Sequence, residues 1–256
     1  MSTPTKPTPL HRRTLLFKVV WPCLMKGLPF KAMVAVPGAK GRAGTTAPEF
    51  RAKFPLGTVP AIEYGDTRIT ESAAILSFLA DTHGWSDLYP TERRARVKVD
   101  EYLHWHHSGV RSLANAHFAP RMRPDLVIDA SARAAASAKS DRSLQLVEEA
   151  FLGGAGGGSF IGGRACASVA DLLCYSEVAC LGPRFGDVID LSAAKLPRIA
   201  AWMDRMAELP HHDAVFAAAA AVGRLDDASQ PPLLERLAPS TKAGLAAIAA
   251  AAAASK

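Results

Sequence analysis

Two pairs of residues in one short segment have the types and spacing that would bind a small anionic peptide. Val59-Pro60 opens a short apolar run, and Glu71-Ser72 follows, with Ser72 twelve residues after Pro60. Proline removes a donor from a strand ladder, so we expect Pro60 at a strand start or a sheet edge, where backbone groups can pair with another extended peptide. A helix that begins at Ser72 would offer unpaired N–H groups and a positive dipole to a carboxylate. The segment therefore predicts a peptide dock beside an anion dock.

Each pair also has an ordinary structural explanation. Taken alone, Val59-Pro60 is more typical of a plain turn, and Glu71-Ser72 is at least as typical of a helix cap. The order and spacing of all four residues together favour the binding interpretation.

The sequence around this segment predicts a small α/β domain over residues 1–85. Alternating short apolar runs that flank Gly65-Asp66 are typical of a hairpin, and apolar residues at helical spacing follow it. The predicted elements are a strand over 33–36, hairpin strands over 61–64 and 67–70, and a helix over 72–82.

The second half of the chain predicts helices only. Residues 83–90 are a linker, residues 91–225 a helical domain, and residues 226–256 an Ala-rich tail with little to pack against. Thr91 is the expected N-cap of a long helix that reaches about His117. Its inner face is expected to carry Val99, Leu103, His106 and Val110, and further helices are predicted over 125–152, 168–181 and 196–208.

Charge is distributed unevenly along the chain. The formal net charge is +6, yet residues 1–53 carry ten Lys or Arg and one acid, Glu49. A basic first domain would attract an anionic peptide. The basic residues are scattered and no nucleic-acid motif accompanies them, so we expect no nucleic-acid partner. No membrane span is expected either, because no apolar run outside the Ala-rich end approaches the necessary length.

The cysteines and the N-terminus bear on the compartment. Four cysteines without C-x-x-C spacing favour reduced thiols in a cytoplasmic protein. The acid-free start, with Arg12 and Arg13, also fits a mitochondrial transit peptide, although three prolines argue against an amphipathic helix there.

The ordered set of motifs resembles the cytosolic glutathione transferases, and their theta-like branch most closely. The resemblance covers roughly residues 47–210 and implies a thioredoxin-like N-terminal domain followed by an all-helical C-terminal domain. It rests on the run F-P-L-G-T-V-P-A-I-E-Y-G-D-T-R-I-T-E-S from Phe54 to Ser72, and on the segments Asp87 to Pro90, Val99 to His107, Phe160 to Gly163 and Ser168 to Leu172.

The resemblance implies a role for each residue of the opening segment. The Val59-Pro60 bond would be cis, with the Val59 backbone paired to the cysteinyl part of glutathione. Glu71 would pair with the γ-glutamyl ammonium, and Ser72 with the carboxylate. Thr58 stands where relatives often have Lys, so Lys53 and Arg42 are candidates for the glycyl carboxylate.

Further residues are assigned by the same resemblance. Arg111 would line the electrophile cleft, with a solvated helix charge as the alternative. Ser168 and Asp171 form an S-x-x-D capping box of structural role. His104, His106 and His107 lack a third ligand at zinc spacing, so we expect no metal.

The thiol-activating position departs from the family. The theta-like enzymes use a Ser before the first helix, and an ungapped count places Arg13 there with Thr14 beside it. The preceding strand would fall on the Pro-rich residues 3–9, and Pro22 lies inside the expected first helix. Glutathione binding is therefore better supported than catalysis.

Three functions follow from these observations. The first is a homodimeric detoxification enzyme that conjugates glutathione, as co-substrate, to small hydrophobic electrophiles. The alternative is a non-catalytic interaction module of the same fold. A glutathione-dependent dehalogenase or isomerase is the third, and the sequence does not separate it from the first.

Overall fold

Within the described residues, the first domain combines two strand pairs with three helices. The computed structural model describes residues 11–12, 17–41, 44–122, 128–154 and 157–254. Its first-domain elements are β1 (His11–Arg12), α1 (Phe17–Met25), β2 (Lys31–Ala32), α2 (Pro48–Lys53), β3 (Ala61–Tyr64), β4 (Thr67–Thr70) and α3 (Ser72–His83).

The predicted hairpin is confirmed residue by residue. β3 and β4 are antiparallel, with Ala61 opposite Thr70 and Tyr64 opposite Thr67. Gly65 makes the turn in a left-handed conformation (φ 60°), which glycine adopts without steric cost. α3 then runs from Ser72 to His83 and ends at Gly84, also left-handed, so the helix predicted over 72–82 is confirmed with one more residue.

The strand predicted over 33–36 is wrong. β2 lies two residues earlier, at Lys31–Ala32, where it pairs parallel with β1, and Val36 makes only an isolated bridge to Gly44. Val36 is 47% exposed, so its β-favouring side chain packs little. The strand expected on residues 3–9 lies outside the described residues. α1 extends through Pro22, which lies inside the helix as expected.

The second domain is helical, as predicted. Its helices are α4 (Arg93–Trp105), α5 (Arg111–Leu113), a π-helical turn (Ala114–Phe118), α6 (Ala119–Met122), α7 (Ala130–Leu146), a second π-helical turn (Val147–Phe151), α8 (Val169–Val178), α9 (Pro197–Ala207), α10 (His212–Val222) and α11 (Leu233–Ala254).

The long helix predicted from Thr91 to about His117 is interrupted. Its N-cap is Glu92 rather than Thr91, because the Glu92 carboxylate accepts the amides of Arg94 and Ala95 at 2.9 and 2.7 Å. Residues 106–110 then form a turn that places Gly109 against the Trp105 indole. A methyl group at Gly109 would lie 2.2 Å from that ring, so glycine permits this approach. The expected inner-face residues Val99, Leu103, His106 and Val110 are all buried.

The S-x-x-D motif opens α8 as a capping box. The Asp171 carboxylate accepts the Ser168 amide at 2.8 Å and the Ser168 hydroxyl at 2.7 Å. It also accepts the Ile161 amide at 2.9 Å and the Trp202 indole N–H at 3.0 Å. This carboxylate therefore joins α8, α9 and the loop before α8.

The two domains share one core. Trp21 of α1 is fully buried, and its ring centroid lies 5.6 Å from Tyr175 and 5.3 Å from Phe216. The Trp21 indole N–H donates to the Pro210 carbonyl at 2.8 Å. The first helix is therefore fixed against α8, α10 and the loop between α9 and α10.

The tail interpretation of residues 226–256 is wrong for the helix α11. α11 packs on α10, and a methyl group added at Gly244 would lie 2.6 Å from the Ala218 side chain. Small residues let the two backbones approach closely, which sequence propensity alone does not reveal. Among the described helices α11 is the one long and apolar enough, by length and composition only, to span a membrane.

Candidate functional site

The hairpin brings the two predicted residue pairs together. Because Ala61 lies opposite Thr70, Pro60 and Glu71 are the next residues outward on either side of the open end of the hairpin. The Val59-Pro60 bond is cis, and Pro60 directly precedes β3, which is the strand start expected for it. Val59 and Pro60 are half-buried and Thr58 is exposed.

The second pair forms the start of α3. Ser72 is the first residue of this 12-residue helix and Glu71 is its N-cap. Glu71 has a left-handed backbone (φ 69°), which a residue with a side chain adopts at an energetic cost and which is frequent at ligand sites. Its carboxylate makes no capping hydrogen bond to the helix. The helix N–H groups therefore lie next to an acidic side chain that serves no local cap.

Glu71 is instead contacted from the second domain. The His107 Nε2 lies 2.9 Å from the Glu71 Oε2, and both side chains are partly exposed. His107 belongs to the turn after α4, so this contact joins the open end of the hairpin to the helical domain.

A buried carboxylate lies where α1 meets the helical domain. Glu177 of α8 is 7% exposed and forms an ion pair with Lys18 of α1. The Arg111 Nη1 lies 3.1 and 3.3 Å from the two Glu177 oxygens, and the His106 Nε2 lies 3.6 Å away. One carboxylate thus faces two permanent cations, which leaves a surplus of one positive charge.

The environment fixes the protonation states in this cluster. Burial favours the neutral form of Glu177, but the charge of Lys18, the hydrogen bond from His106 and the charge of Arg111 outweigh it and hold its pKa well below the usual range. Burial lowers the pKa of His106, although Glu177 acts in the opposite direction. Neutral His106 with its proton on Nε2 accepts the Tyr102 hydroxyl at Nδ1, 3.3 Å away.

The structure describes only some of the other predicted site residues. Arg13, Thr14 and Arg42 lie outside the described residues. Lys53 is engaged elsewhere, because its Nζ lies 2.8 Å from the Glu63 Oε1. Arg111 is about half exposed and contacts Glu177, so it is not simply a solvated helix charge, and its place in an electrophile cleft stays a prediction.

The three histidines of the α4 turn are used separately. His104 is exposed, His106 faces Glu177 and His107 faces Glu71. In the part of the chain that the structure describes, no three His, Cys, Asp or Glu side chains come together to hold a metal ion.

Lys18, His107 and Glu177 are the residues that sequence reasoning missed as partners. Lys18 stands in an otherwise apolar helix and Glu177 in a mainly apolar one, which is a signal that a charge needs a buried partner. The sequence does not indicate which residue that partner is, because Lys18 and Glu177 are 159 positions apart.

Comparison with known proteins gives consistent matches. The family model described as the N-terminal domain of glutathione S-transferase matches residues 17–82. Human glutathione S-transferase theta-1 is 37% identical over 129 residues, which cover 48% of this chain and 52% of that relative. Mouse glutathione S-transferase theta-3 is 31% identical over 185 residues, which cover 70% of this chain and 72% of the relative. The chain therefore spans about half the length of the human relative and 72% of the length of the mouse relative.

A solved structure extends the match over most of the fold. The apo form of human glutathione-S-transferase T1-1 is 27% identical, with a TM-score of 0.66 over 93% of this chain and 99% of that one. Given the identity and coverage of these relatives and the shared two-domain fold, the chain belongs to the glutathione transferase superfamily, in its theta-like class.

Proposed function

We propose that this chain binds glutathione at the open end of the β3–β4 hairpin and adds its thiolate to small hydrophobic electrophiles. The observation that carries the proposal is the juxtaposition of Pro60 and Glu71 at one end of the hairpin, beside the N-terminus of α3. A peptide whose terminal amino acid carries a free ammonium and a free carboxylate needs a strand edge for its backbone and a helix N-terminus with an acidic side chain for its end. The two must lie within a few ångströms of each other.

Each part of glutathione has a counterpart at this end. The Val59 backbone is suited to pair with the cysteinyl unit, and the first N–H groups of α3 with Ser72 suit the γ-glutamyl carboxylate. Glu71 would take the ammonium. Arg42 and Lys53 are the proposed partners of the glycyl carboxylate, and Lys53 would have to leave Glu63 to reach it.

The thiol must lose its proton before it reacts. A free thiol has a pKa of about 8.5, and lowering this by two units requires roughly 2.7 kcal/mol of preferential thiolate stabilisation. Arg13 through its charge and Thr14 through its hydroxyl are the proposed activating groups. The surplus positive charge around Lys18 and Arg111 adds a favourable field at the first turn of α1.

The reaction itself is a nucleophilic displacement or addition. With an alkyl or aryl halide, the thiolate sulfur forms a bond to carbon, the carbon–halogen bond breaks and halide leaves with the electron pair. Arg111 is about half exposed, and it is the proposed partner of such a leaving group or of a polar part of the electrophile. The proposal places this chemistry in a cytoplasmic homodimer that detoxifies electrophiles.

Binding and turnover are tested separately. Calorimetry should give a micromolar to low-millimolar Kd for glutathione, and Glu71→Ala should weaken it by roughly tenfold or more, about 1.4 kcal/mol. Glu101→Ala, which removes an exposed carboxylate paired with Lys98, is the matched control and should leave the Kd unchanged. No heat at millimolar glutathione would contradict the proposal.

A panel of alkyl halides, aryl halides and epoxides then tests catalysis. Thiolate absorbance against pH gives the pKa of bound glutathione, and a rise of about one unit in Arg13→Ala with no change in Thr14→Val would identify the cation as activator. The converse would identify the hydroxyl. Binding without turnover of any electrophile would favour the non-catalytic interaction module.

A further inference from the structure

The contact between His107 and Glu71 has features that an ordinary surface ion pair lacks. The two residues belong to different domains, and Glu71 is the N-cap of α3 with a left-handed backbone. The side chains are 61% and 42% exposed, so a ligand can reach the pair from solvent. The pair lies at the carboxylate that the proposed function assigns to the γ-glutamyl ammonium.

His107 uses only one of the two carboxylate oxygens. Its Nε2 lies 2.9 Å from Oε2. Among the described residues no partner is found for Oε1, which leaves that oxygen for an incoming cation. A neutral imidazole with its proton on Nε2 would donate one hydrogen bond, hold the carboxylate in place and leave its full negative charge to attract the ligand.

We propose that His107 is a positioning residue for the γ-glutamyl end of glutathione, and that its protonation weakens glutathione binding in mild acid. This inference rests on the proposed function. The imidazolium would keep the hydrogen bond to Oε2, but it would place a positive charge within a few ångströms of the ligand ammonium. At that separation near a protein surface, repulsion together with the loss of net negative charge should weaken binding roughly three- to tenfold.

Charged and titratable groups approach His107 from several elements. Glu71 faces it from the start of α3. The ring of His106 lies 5.7 Å away on the same segment, and behind it are Glu177, Lys18 and Arg111. Burial lowers the pKa of His106, which disfavours a positive charge on this neighbour.

The test measures affinity against pH with a ligand that does not itself titrate in the window. S-methylglutathione serves as the probe because it has no thiol proton, and calorimetry is run on the full chain at pH 5.5, 6.5 and 8.0. The wild-type Kd should rise roughly three- to tenfold from pH 8.0 to pH 5.5. His107→Gln keeps a hydrogen-bond donor but cannot be protonated, so its Kd should stay constant within about twofold over this range.

His104→Gln is the matched control, since it removes an exposed histidine from the same segment and should retain the wild-type pH dependence. If His107→Gln shows the wild-type pH dependence, or if His104→Gln loses it, the inference is overturned.

A second arm uses only the wild-type protein, so it does not depend on the folding of a variant. An S-methylglutathione analogue with a glutaryl group in place of the γ-glutamyl group lacks the ammonium that the imidazolium would repel. Its Kd should not rise in acid, and a rise equal to that of S-methylglutathione would contradict the proposal. Absence of S-methylglutathione binding at pH 8.0 would overturn the proposed function as well, whereas pH-independent binding would overturn this inference alone.

Discussion

At the scale of single residues, the most consequential side chain is a carboxylate that the chain buries between its two domains. Glu177 stays ionised because Lys18 and Arg111 compensate for its desolvation, and this holds its pKa below the usual range. A buried ion pair is weak evidence of net stabilisation, but removal of one partner leaves the others uncompensated. Glu177 is therefore expected to matter for the stability of the fold whether or not the cluster acts on the thiol.

Glu177→Gln should lower the free energy of unfolding by about 3 kcal/mol at pH 7, because Lys18 and Arg111 lose their shared counter-ion. The sign of the pH dependence follows from the depressed pKa. The stabilisation is complete above the unfolded value of about 4.3 and is lost as the pH falls below it, by about 1.4 kcal/mol for each unit. Urea titrations at pH 5.0 and 3.3 should show the difference between wild type and variant shrinking by that amount.

The exposed pair Lys98–Glu101 provides the control for this measurement. Glu101→Gln should change the free energy of unfolding by less than about 0.5 kcal/mol at either pH. A Glu177→Gln effect that is the same at pH 5.0 and pH 3.3 would mean that the carboxylate is not held ionised by its neighbours.

At the scale of elements, α8 depends on one side chain for its start. Asp171→Ala would leave four buried donors without a partner, namely the amides of Ile161 and Ser168, the Ser168 hydroxyl and the Trp202 indole. We expect a loss of about 3 kcal/mol or more in the free energy of unfolding, beyond the cost of a helix cap alone. Glu92→Ala removes the exposed N-cap of α4 and should lower the free energy of unfolding much less. Chemical denaturation of the two variants compares them directly, and equal losses would contradict this account.

Where α10 packs on α11, the expected effect of a Gly→Ala change on stability is opposite to the effect expected from helix propensity. Gly→Ala in a helix ordinarily stabilises by up to about 1 kcal/mol. At Gly244 the added methyl group would collide with Ala218, so Gly244→Ala should instead destabilise by about 1–3 kcal/mol. Ala250→Gly, at an exposed position of α11, should lower the free energy of unfolding by about 1 kcal/mol through helix propensity alone. Thermal unfolding that shows Gly244→Ala to be more stable than wild type would refute the close packing of α11.

The elements also show where sequence reasoning succeeds. The β3–β4 hairpin and α3 follow from local signals, namely the Gly65-Asp66 turn and the helical spacing of apolar residues, and both are confirmed. The Val59-Pro60 and Glu71-Ser72 pairs meet because they flank that same local unit. The interruption after Trp105 and the packing of α11 were not predictable, because each depends on a contact in which a glycine admits a neighbouring side chain. The Lys18–Glu177 and Glu71–His107 contacts join distant parts of the chain, and no local pattern specifies them.

At the scale of the whole molecule, we expect a homodimer, as the family resemblance implies. Light scattering at micromolar concentration should give twice the chain mass of 27.1 kDa. The resemblance also implies a γ-glutamyl site near the partner subunit, so we expect dilution into the monomeric range to weaken glutathione binding. A particle with the mass of one chain at micromolar concentration would contradict this expectation.

The burial of α1 affects the order in which the two domains can complete their folding during synthesis. The Trp21 indole N–H donates a hydrogen bond to the carbonyl of Pro210, 189 positions later, and the Trp21 ring packs on Phe216. At the usual rate of synthesis of about 5–20 residues per second, α1 leaves the ribosome roughly 10–40 s before these partners exist. Its apolar face lacks these partners during that interval and is then accessible to a chaperone or to the ribosome surface. α1, the first of the described helices, therefore reaches its final surroundings late, and the packing of the first domain is complete only after the second has been synthesised.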